Sequence, residues 1–179
     1  MADAKRQFVG FRNKRNGAMW EDWITNAIKN LYREFASIEK TPEPFHMTGR
    51  VAGRGKQTGE VKGYYEAKAQ PDFKGVLRGG RCIFFEAKNT DTDKIKQNCG
   101  TETQFKAMNR YQELGGLCYV MVSMGLINFY RVPWEVWQNM KELFGHKHMT
   151  EKDLAPYKLQ QRGCFIKILD GIEIDVDED

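Results

Sequence analysis

Hydrophobic positions along the chain follow two different periods, and the changes of period mark out the elements. From about Gly17 to Ile38, Trp20, Ile24, Ala27, Ile28, Leu31 and Phe35 recur at helical spacing and predict a helix with one apolar stripe. Lys40-Thr41-Pro42-Glu43-Pro44 ends it, because proline lacks the N–H a helix needs and restricts the residue before it. An extended segment, Phe45 to Val51, follows. Gly49 to Gly63 holds five glycines in fifteen residues and too few apolar side chains for a core, so it is expected to project. Val76-Leu77 and the run Cys82 to Phe85 flank Arg78-Gly79-Gly80 as the strands of a hairpin would. Asn89 to Gly100 has no period and reads as a loop. Thr101 or Thr103 caps a helix to about Leu114, stopped by Gly115-Gly116, with Gln104, Ala107, Met108, Tyr111 and Leu114 on its packed face. Leu117 to Met124 is an apolar strand buried on both faces, and Gly125 turns it toward a second strand, Ile127 to Val132. Pro133 opens a helix over Trp134 to Phe144, and Cys164 to Leu169 forms a last edge strand.

The hairpin carries candidate chemistry. Side chains alternate across a strand, so Glu86 and Lys88 share a face with Cys82 and Phe84, while Ile83, Phe85 and Ala87 take the other. A three-residue loop, Arg78 to Gly80, pairs Leu77 with Arg81 and sets Asp72 opposite Glu86. A two-residue loop would set Asp72 against Ala87 on the wrong face, and a bulge would shift the register again. Two carboxylates with a main-chain carbonyl beside a lysine suit magnesium, which takes hard oxygen donors and keeps several waters. The lysine can hold or deprotonate an attacking water while the metal offsets charge on a phosphate. A bare Glu-x-Lys matches by chance at a solvated strand end. Here it follows Pro71-Asp72 and an apolar hairpin, which is a more specific context.

Charge extends this reading. The net charge is +4, yet Asp170, Glu173, Asp175, Asp177, Glu178 and Asp179 are six acids with no base among the last ten residues, so the preceding body stands at +10. A body that basic favours a polyanion as partner. Residues 1 to 16 are expected to be a flexible arm whose Arg12, Lys14 and Arg15 meet phosphates, and Arg50, Arg54, Lys56 and Lys62 make the glycine-rich excursion a basic probe. The acidic tail, residues 170 to 179, is expected to be solvated.

Cys82, Cys99, Cys118 and Cys164 lack a Cys-x-x-Cys spacing and read as reduced, mostly buried thiols. His146 and His148 read as surface histidines in a lysine-rich loop. No apolar run approaches the roughly 18 residues of a membrane helix, and the N-terminus lacks the apolar segment of a signal peptide, so a cytoplasmic protein without membrane contact is expected.

Two polar residues interrupt apolar stripes. Glu21 begins the line 21, 24, 28, 31, 35 on the first helix; it either snorkels at the helix start or points at a cation. Gln104 either bonds nearby backbone or orients a water or the lysine.

This succession resembles the PD-(D/E)xK nuclease superfamily, and more narrowly the RecU-type Holliday-junction resolvases of Gram-positive bacteria and their phages. The residues that carry the likeness are Lys40-Thr41-Pro42-Glu43-Pro44, the basic excursion before Tyr64-Tyr65, Asp72-Phe73-Lys74-Gly75-Val76, Phe85-Glu86-Ala87-Lys88-Asn89-Thr90, Gln104 and Gly115-Gly116. The resemblance implies an α/β fold with a restriction-endonuclease-like core, αβββαβ, its mixed central sheet flanked by helices, over residues 17 to 169, with a projecting basic stalk at about 46 to 66. It implies a homodimeric, magnesium-dependent endonuclease, with manganese able to substitute, that nicks four-way DNA junctions symmetrically. Asp72, Glu86 and the Ala87 carbonyl would hold the metal, Lys88 would position or activate the water, Gln104 would support it, and Glu21 would be an outer ligand or orienter. Where such resolvases usually have Thr-Thr before the aspartate, this chain has Gln70-Pro71. A restriction-like or end-processing nuclease of the same fold, or a catalytically silent DNA-binding module, are the competing readings.

Overall fold

The computed structural model describes residues 2–51, 60–65 and 70–174. Trp20, Ile24 and Ala27 are fully buried along one stripe of helix α1, Ala2–Ala27, where their spacing places them. The helix starts earlier than expected: residues 2–16 are helical, not an irregular arm. That segment contains strong helix formers (Ala2, Ala4, Lys5, Arg6), and its later part is tied down at Asp91 by Arg12 Nε at 3.0 Å and Asn16 Nδ2 at 3.1 Å. It also ends earlier. After a π-helical turn, Ile28–Tyr32, the chain enters strand β1, Ala36–Lys40, not the predicted last helical turn to Ile38. Buried Ala36 and Ile38 alternate with exposed Ser37 and Glu39, a period of two that the wider helical count had absorbed.

Strands β2, Phe45–Val51, and β3, Glu60–Tyr65, pair as an antiparallel ribbon separate from the main sheet, and the side chains described on it are exposed. Strands β4, Phe73–Leu77, and β5, Cys82–Thr90, form the central hairpin. β5 is longer than expected and is followed by a short strand β6, Lys94–Lys96, so Asn89–Gly100 is not wholly loop. Helix α2, Glu102–Glu113, leads to β7, Leu117–Met124, and a tight turn leads to β8, Asn128–Pro133. Gly125 and Leu126 occupy that turn at φ 62° and 58°. The predicted Trp134–Phe144 helix is two helices, α3, Trp134–Gln138, and α4, Met140–Phe144, interrupted at Asn139.

His146 and His148 are half-buried and their rings stack 4.0 Å apart, because β9, His148–Thr150, pairs with β6; they are not free surface histidines. Helix α5, Glu151–Leu154, precedes two short strands, β10, Gln161–Arg162, and β11, Phe165–Ile166. These pair only with each other, so the expected strand from Cys164 to Leu169 shrinks to two residues and does not extend the main sheet. Of the four cysteines only Cys118 is buried; Cys82, Cys99 and Cys164 are free and exposed, which corrects the expectation of mostly buried thiols. Leu114, placed on the packed face of α2 by its spacing, is exposed at the helix end.

The main sheet has the order β1-β4-β5-β7-β8. β4 is antiparallel to β1 and β5, β7 is antiparallel to β8, and β5 and β7 are parallel, joined by the crossover helix α2. From α1 to β7 the elements that build the sheet run αβββαβ in chain order, and β8 adds a fifth strand, giving a mixed sheet between helical layers. On one face, α1 and the segment around Leu159–Leu169 pack on Phe73, Ile83, Phe85, Met121 and Phe129. On the other, α2 to α4 and β9 enclose Val120, Val122, Val132, Trp134, Trp137 and Met140. Among the described residues no helix is long and apolar enough to cross a membrane.

Candidate active site

The β4–β5 register is Phe73 to Phe85, Lys74 to Phe84, Gly75 to Ile83 and Val76 to Cys82, and the Leu77 N–H reaches the Arg81 carbonyl at 2.9 Å. Gly79 and Gly80 hold φ near +88° and +87°, the left-handed values a three-residue loop requires. Continued one residue, this register sets Asp72 opposite Glu86. Both are buried, at 8% and 2% exposure, which is rare for carboxylates outside a site that uses them.

Backbone chemistry explains how Asp72 is held. Along β5 the residues that bond toward β4 are 81, 83 and 85, so Ala87 is next. Its ladder partner would be Pro71. The Ala87 N–H donates instead to Asp72 Oδ2 at 2.8 Å. The N–H and C=O of one strand residue point to the same side, so the Ala87 carbonyl also faces Asp72, where Pro71 has no N–H to offer it. Two carboxylates and a carbonyl left outside the ladder form a hard-oxygen donor set, which fits magnesium or manganese. Among the described residues no cluster of three or more His, Cys, Asp or Glu side chains is arranged for a metal. A site of two carboxylates and a carbonyl is the kind that leaves the remaining positions to water and substrate.

Glu86 Oε1 is held from two sides: Lys88 Nζ lies 2.7 Å away and Gln104 Nε2 donates at 2.8 Å. Burial by itself would lower the Lys88 pKa, but the charge and hydrogen bond of Glu86 outweigh it and hold it above the ordinary lysine value. Gln104 is the N3 residue of a capping box. Its Oε1 accepts the Thr101 N–H at 2.9 Å, and the Thr101 hydroxyl accepts the Gln104 N–H at 3.2 Å. Gln104 thus bonds nearby backbone, the first of the two expectations, while its other amide end holds Glu86, where a water or the lysine was the expected partner.

Glu21 lies on α1, over the opposite sheet face, and its Oε2 pairs with Lys40 Nζ at 2.8 Å. That hydrogen bond is the main reason the Lys40 pKa is raised, with burial opposing it and Asp22 and Asp72 adding to it. Lys40 thus stands in contact with Glu21 and within reach of the Asp72 charge. Of the residues expected to meet DNA, Arg12 is engaged by Asp91 just beyond β5, Lys14 and Arg15 are exposed on α1, and Lys62 is exposed on the ribbon. Arg50 belongs to β2 by its backbone, while Arg54, Lys56 and the tail from 175 lie outside the described residues.

Sequence reasoning passed over several neighbours. Thr41 is buried and its N–H bonds the Asp72 carbonyl at 2.8 Å. Lys40 pairs with Glu21, and Cys99, exposed as a residue, turns its thiol toward Lys88 and Glu86, where desolvation raises its pKa against the pull of the Lys88 charge. Thr101, one of the two caps the sequence offered, is the one the structure uses.

A sequence profile of the Recombination protein U family matches residues 15–176. The chain is 28% identical over 157 residues to the Holliday junction resolvase RecU of Bacillus pumilus (strain SAFR-032), covering 84% of this chain and 75% of that protein. Among solved structures it is similar, with a TM-score of 0.43 and 11% identity over 76% of this chain and 92% of the other, to Hjc of Archaeoglobus fulgidus, a Holliday junction resolvase from an archaeal hyperthermophile. With the profile spanning residues 15–176, the chain belongs to the Recombination protein U family.

Proposed function

We propose that this protein is a Holliday-junction-resolving endonuclease, a metal-dependent phosphodiesterase that nicks four-way DNA junctions in recombination and repair. The observation that carries the reading is the buried Asp72–Glu86 pair, set opposite across the hairpin, with Lys88 and Gln104 both on Glu86. Asp72, Glu86 and the Ala87 carbonyl would hold magnesium, which supplies an acidified water and neutralises phosphate charge. Lys88, 2.7 Å from Glu86 Oε1, would position or activate the attacking water or meet the oxygens of the pentacoordinate phosphorus. Gln104 fixes the Glu86 rotamer, and Lys40 with Glu21 sets the field beside Asp72.

The β2–β3 ribbon is read as the stalk. Its cross-strand aromatic pairs, Phe45 with Tyr65 and His46 with Tyr64, are exposed and offer stacking surfaces to unpaired bases, while Lys62 supplies charge. A junction with two-fold symmetry calls for two sites related in the same way, hence a homodimer.

The test is nicking of a labelled four-way junction and of linear duplex of equal length, in magnesium and in EDTA, by wild type, Asp72→Asn and Lys88→Ala. Both variants should lose nicking by 10²-fold or more while still binding the junction, since binding rests on many basic contacts. Cleavage persisting in both would place the site elsewhere. Equal cutting of linear duplex would make this a nuclease without branch specificity.

A further inference from the structure

A cleft of about 470 Å³ opens where the C-terminal segment crosses the outer edge of the sheet, away from Asp72 and Glu86. Arg131, Lys158 and Lys167 line it against a single carboxylate, Asp170. That carboxylate is already engaged, by Lys167 Nζ at 2.9 Å and by the Tyr32 hydroxyl at 3.1 Å. Arg131 is half-buried on the edge strand β8. Its Nη1 donates to the Ile168 carbonyl at 2.8 Å, and its guanidinium lies over the Tyr119 ring, 5.1 Å from the centroid. These contacts fix the guanidinium, yet among the described residues no carboxylate lies within 4.0 Å of it.

A cation stripped of part of its hydration, with Asp170 acting on it only through charge at longer range and no carboxylate in contact among the described residues, is weakly compensated, and burial accordingly pulls the Arg131 pKa down. The same arrangement is a preorganised fork aimed into a cavity, the geometry by which arginine takes phosphate. Tyr119 and Tyr157 add aromatic wall, and the volume is that of a small-ligand site.

We propose that this cleft is a second, non-catalytic phosphate site, which receives the phosphate group of a nucleotide, free or within a DNA strand, on Arg131 with Lys158 at its rim. It is independent of the metal site: Met121 and Arg131 pair on the sheet face that carries α1, opposite the face that carries Glu86, Lys88 and Gln104.

The test titrates inorganic phosphate and dAMP into the full-length protein in EDTA at constant ionic strength, following thermal unfolding and calorimetric heat, and measures junction affinity against salt. Wild type should be stabilised by phosphate beyond equal ionic strength of chloride. Lys158→Gln, a change at a residue exposed to solvent, should weaken dAMP at least about threefold, Arg131→Gln should abolish its binding, and Asp72→Asn should leave it unchanged. If Lys158→Gln also lowers the salt slope of junction binding by about one, the phosphate belongs to DNA; if the slope holds while dAMP weakens, the ligand is a free nucleotide. Phosphate and dAMP acting no differently from chloride, with identical junction slopes in wild type and Lys158→Gln, overturns the proposal. So does dAMP binding that Asp72→Asn removes and Lys158→Gln leaves intact.

Discussion

Gln104 joins the N-cap of α2 to Glu86: one end of its amide accepts the Thr101 N–H at 2.9 Å and the other donates to Glu86 Oε1 at 2.8 Å. Helix capping and carboxylate orientation are thereby separable by substitution. Gln104→Ala removes both and should destabilise by about 1 kcal/mol and slow nicking about 10- to 100-fold. Gln104→Glu retains the capping box but sets a carboxylate against Glu86. At neutral pH repulsion between the two buried carboxylates should lower its unfolding temperature, a loss that recedes as the pH falls, while nicking falls at least as far as in Gln104→Ala. Wild-type nicking by Gln104→Glu would mean that the Glu86 contact is dispensable.

Pro71 keeps the hairpin ladder from closing over the site. Pro71→Ala restores an N–H opposite the Ala87 carbonyl and lets the ladder gain a bond. Stability should change by less than about 1 kcal/mol, while manganese affinity, read by calorimetry, and nicking both fall about tenfold. Unchanged manganese affinity would remove the Ala87 carbonyl from the donor set.

Alkaline pH should unfold the protein through three buried groups outside the site. Burial pushes Tyr32, Tyr130 and Cys118 each up to about 12, from ordinary values of 10.0, 10.0 and 9.0. Raised folded values mean that the native state keeps protons the unfolded chain has lost, so stability is full below about pH 9 and declines from there toward 12. Urea midpoints measured across that window should fall steadily. Tyr130→Phe, which keeps the ring and removes one titrating group, should flatten the decline; a midpoint flat to pH 11 in wild type would contradict the assignment.

Gly75 lets β1 and β4 approach closely. A methyl group there would run into the Ser37 carbonyl and the backbone of Ile38, neither of which can swing aside. Gly75→Ala should cost about 2–4 kcal/mol by denaturant unfolding, well beyond an ordinary surface-strand change. A cost below about 0.5 kcal/mol would show that the strands can separate without penalty.

Much of the candidate site was legible in one dimension because its geometry is local. The spacing from Asp72 to Glu86 across a glycine loop and the two-residue step from Glu86 to Lys88 are set by strand alternation and loop length, both properties of neighbouring residues. The core stripe of Trp20, Ile24 and Ala27 and the two-faced apolar strand Leu117–Met124 were legible for the same reason. Boundaries were not. Ile38 satisfies a helical and an alternating count alike, and only its pairing opposite Gly75 makes it a strand residue. Residues 2–16 lack an apolar stripe that would announce a helix, and contacts across 75 or more positions to Asp91 anchor the later part of that stretch.

Partner choice was likewise a tertiary decision. Nothing in the spacing of Glu21 and Lys40, of Gln104 and Glu86, or of Arg131 and Ile168 foretells that they meet, because each pair joins elements brought together only by the stacking of layers on the sheet. The sequence by itself determined the period of its elements, the hairpin that sets two acids and a lysine on one face, and the basic character of the body. The tertiary structure decided which charges meet an opposite charge in contact and which, like the guanidinium of Arg131, are held by a carbonyl and an aromatic ring at the wall of a cavity. The physical reason is that side-chain alternation is fixed within a few residues, whereas desolvation and ion pairing depend on the whole packed surroundings.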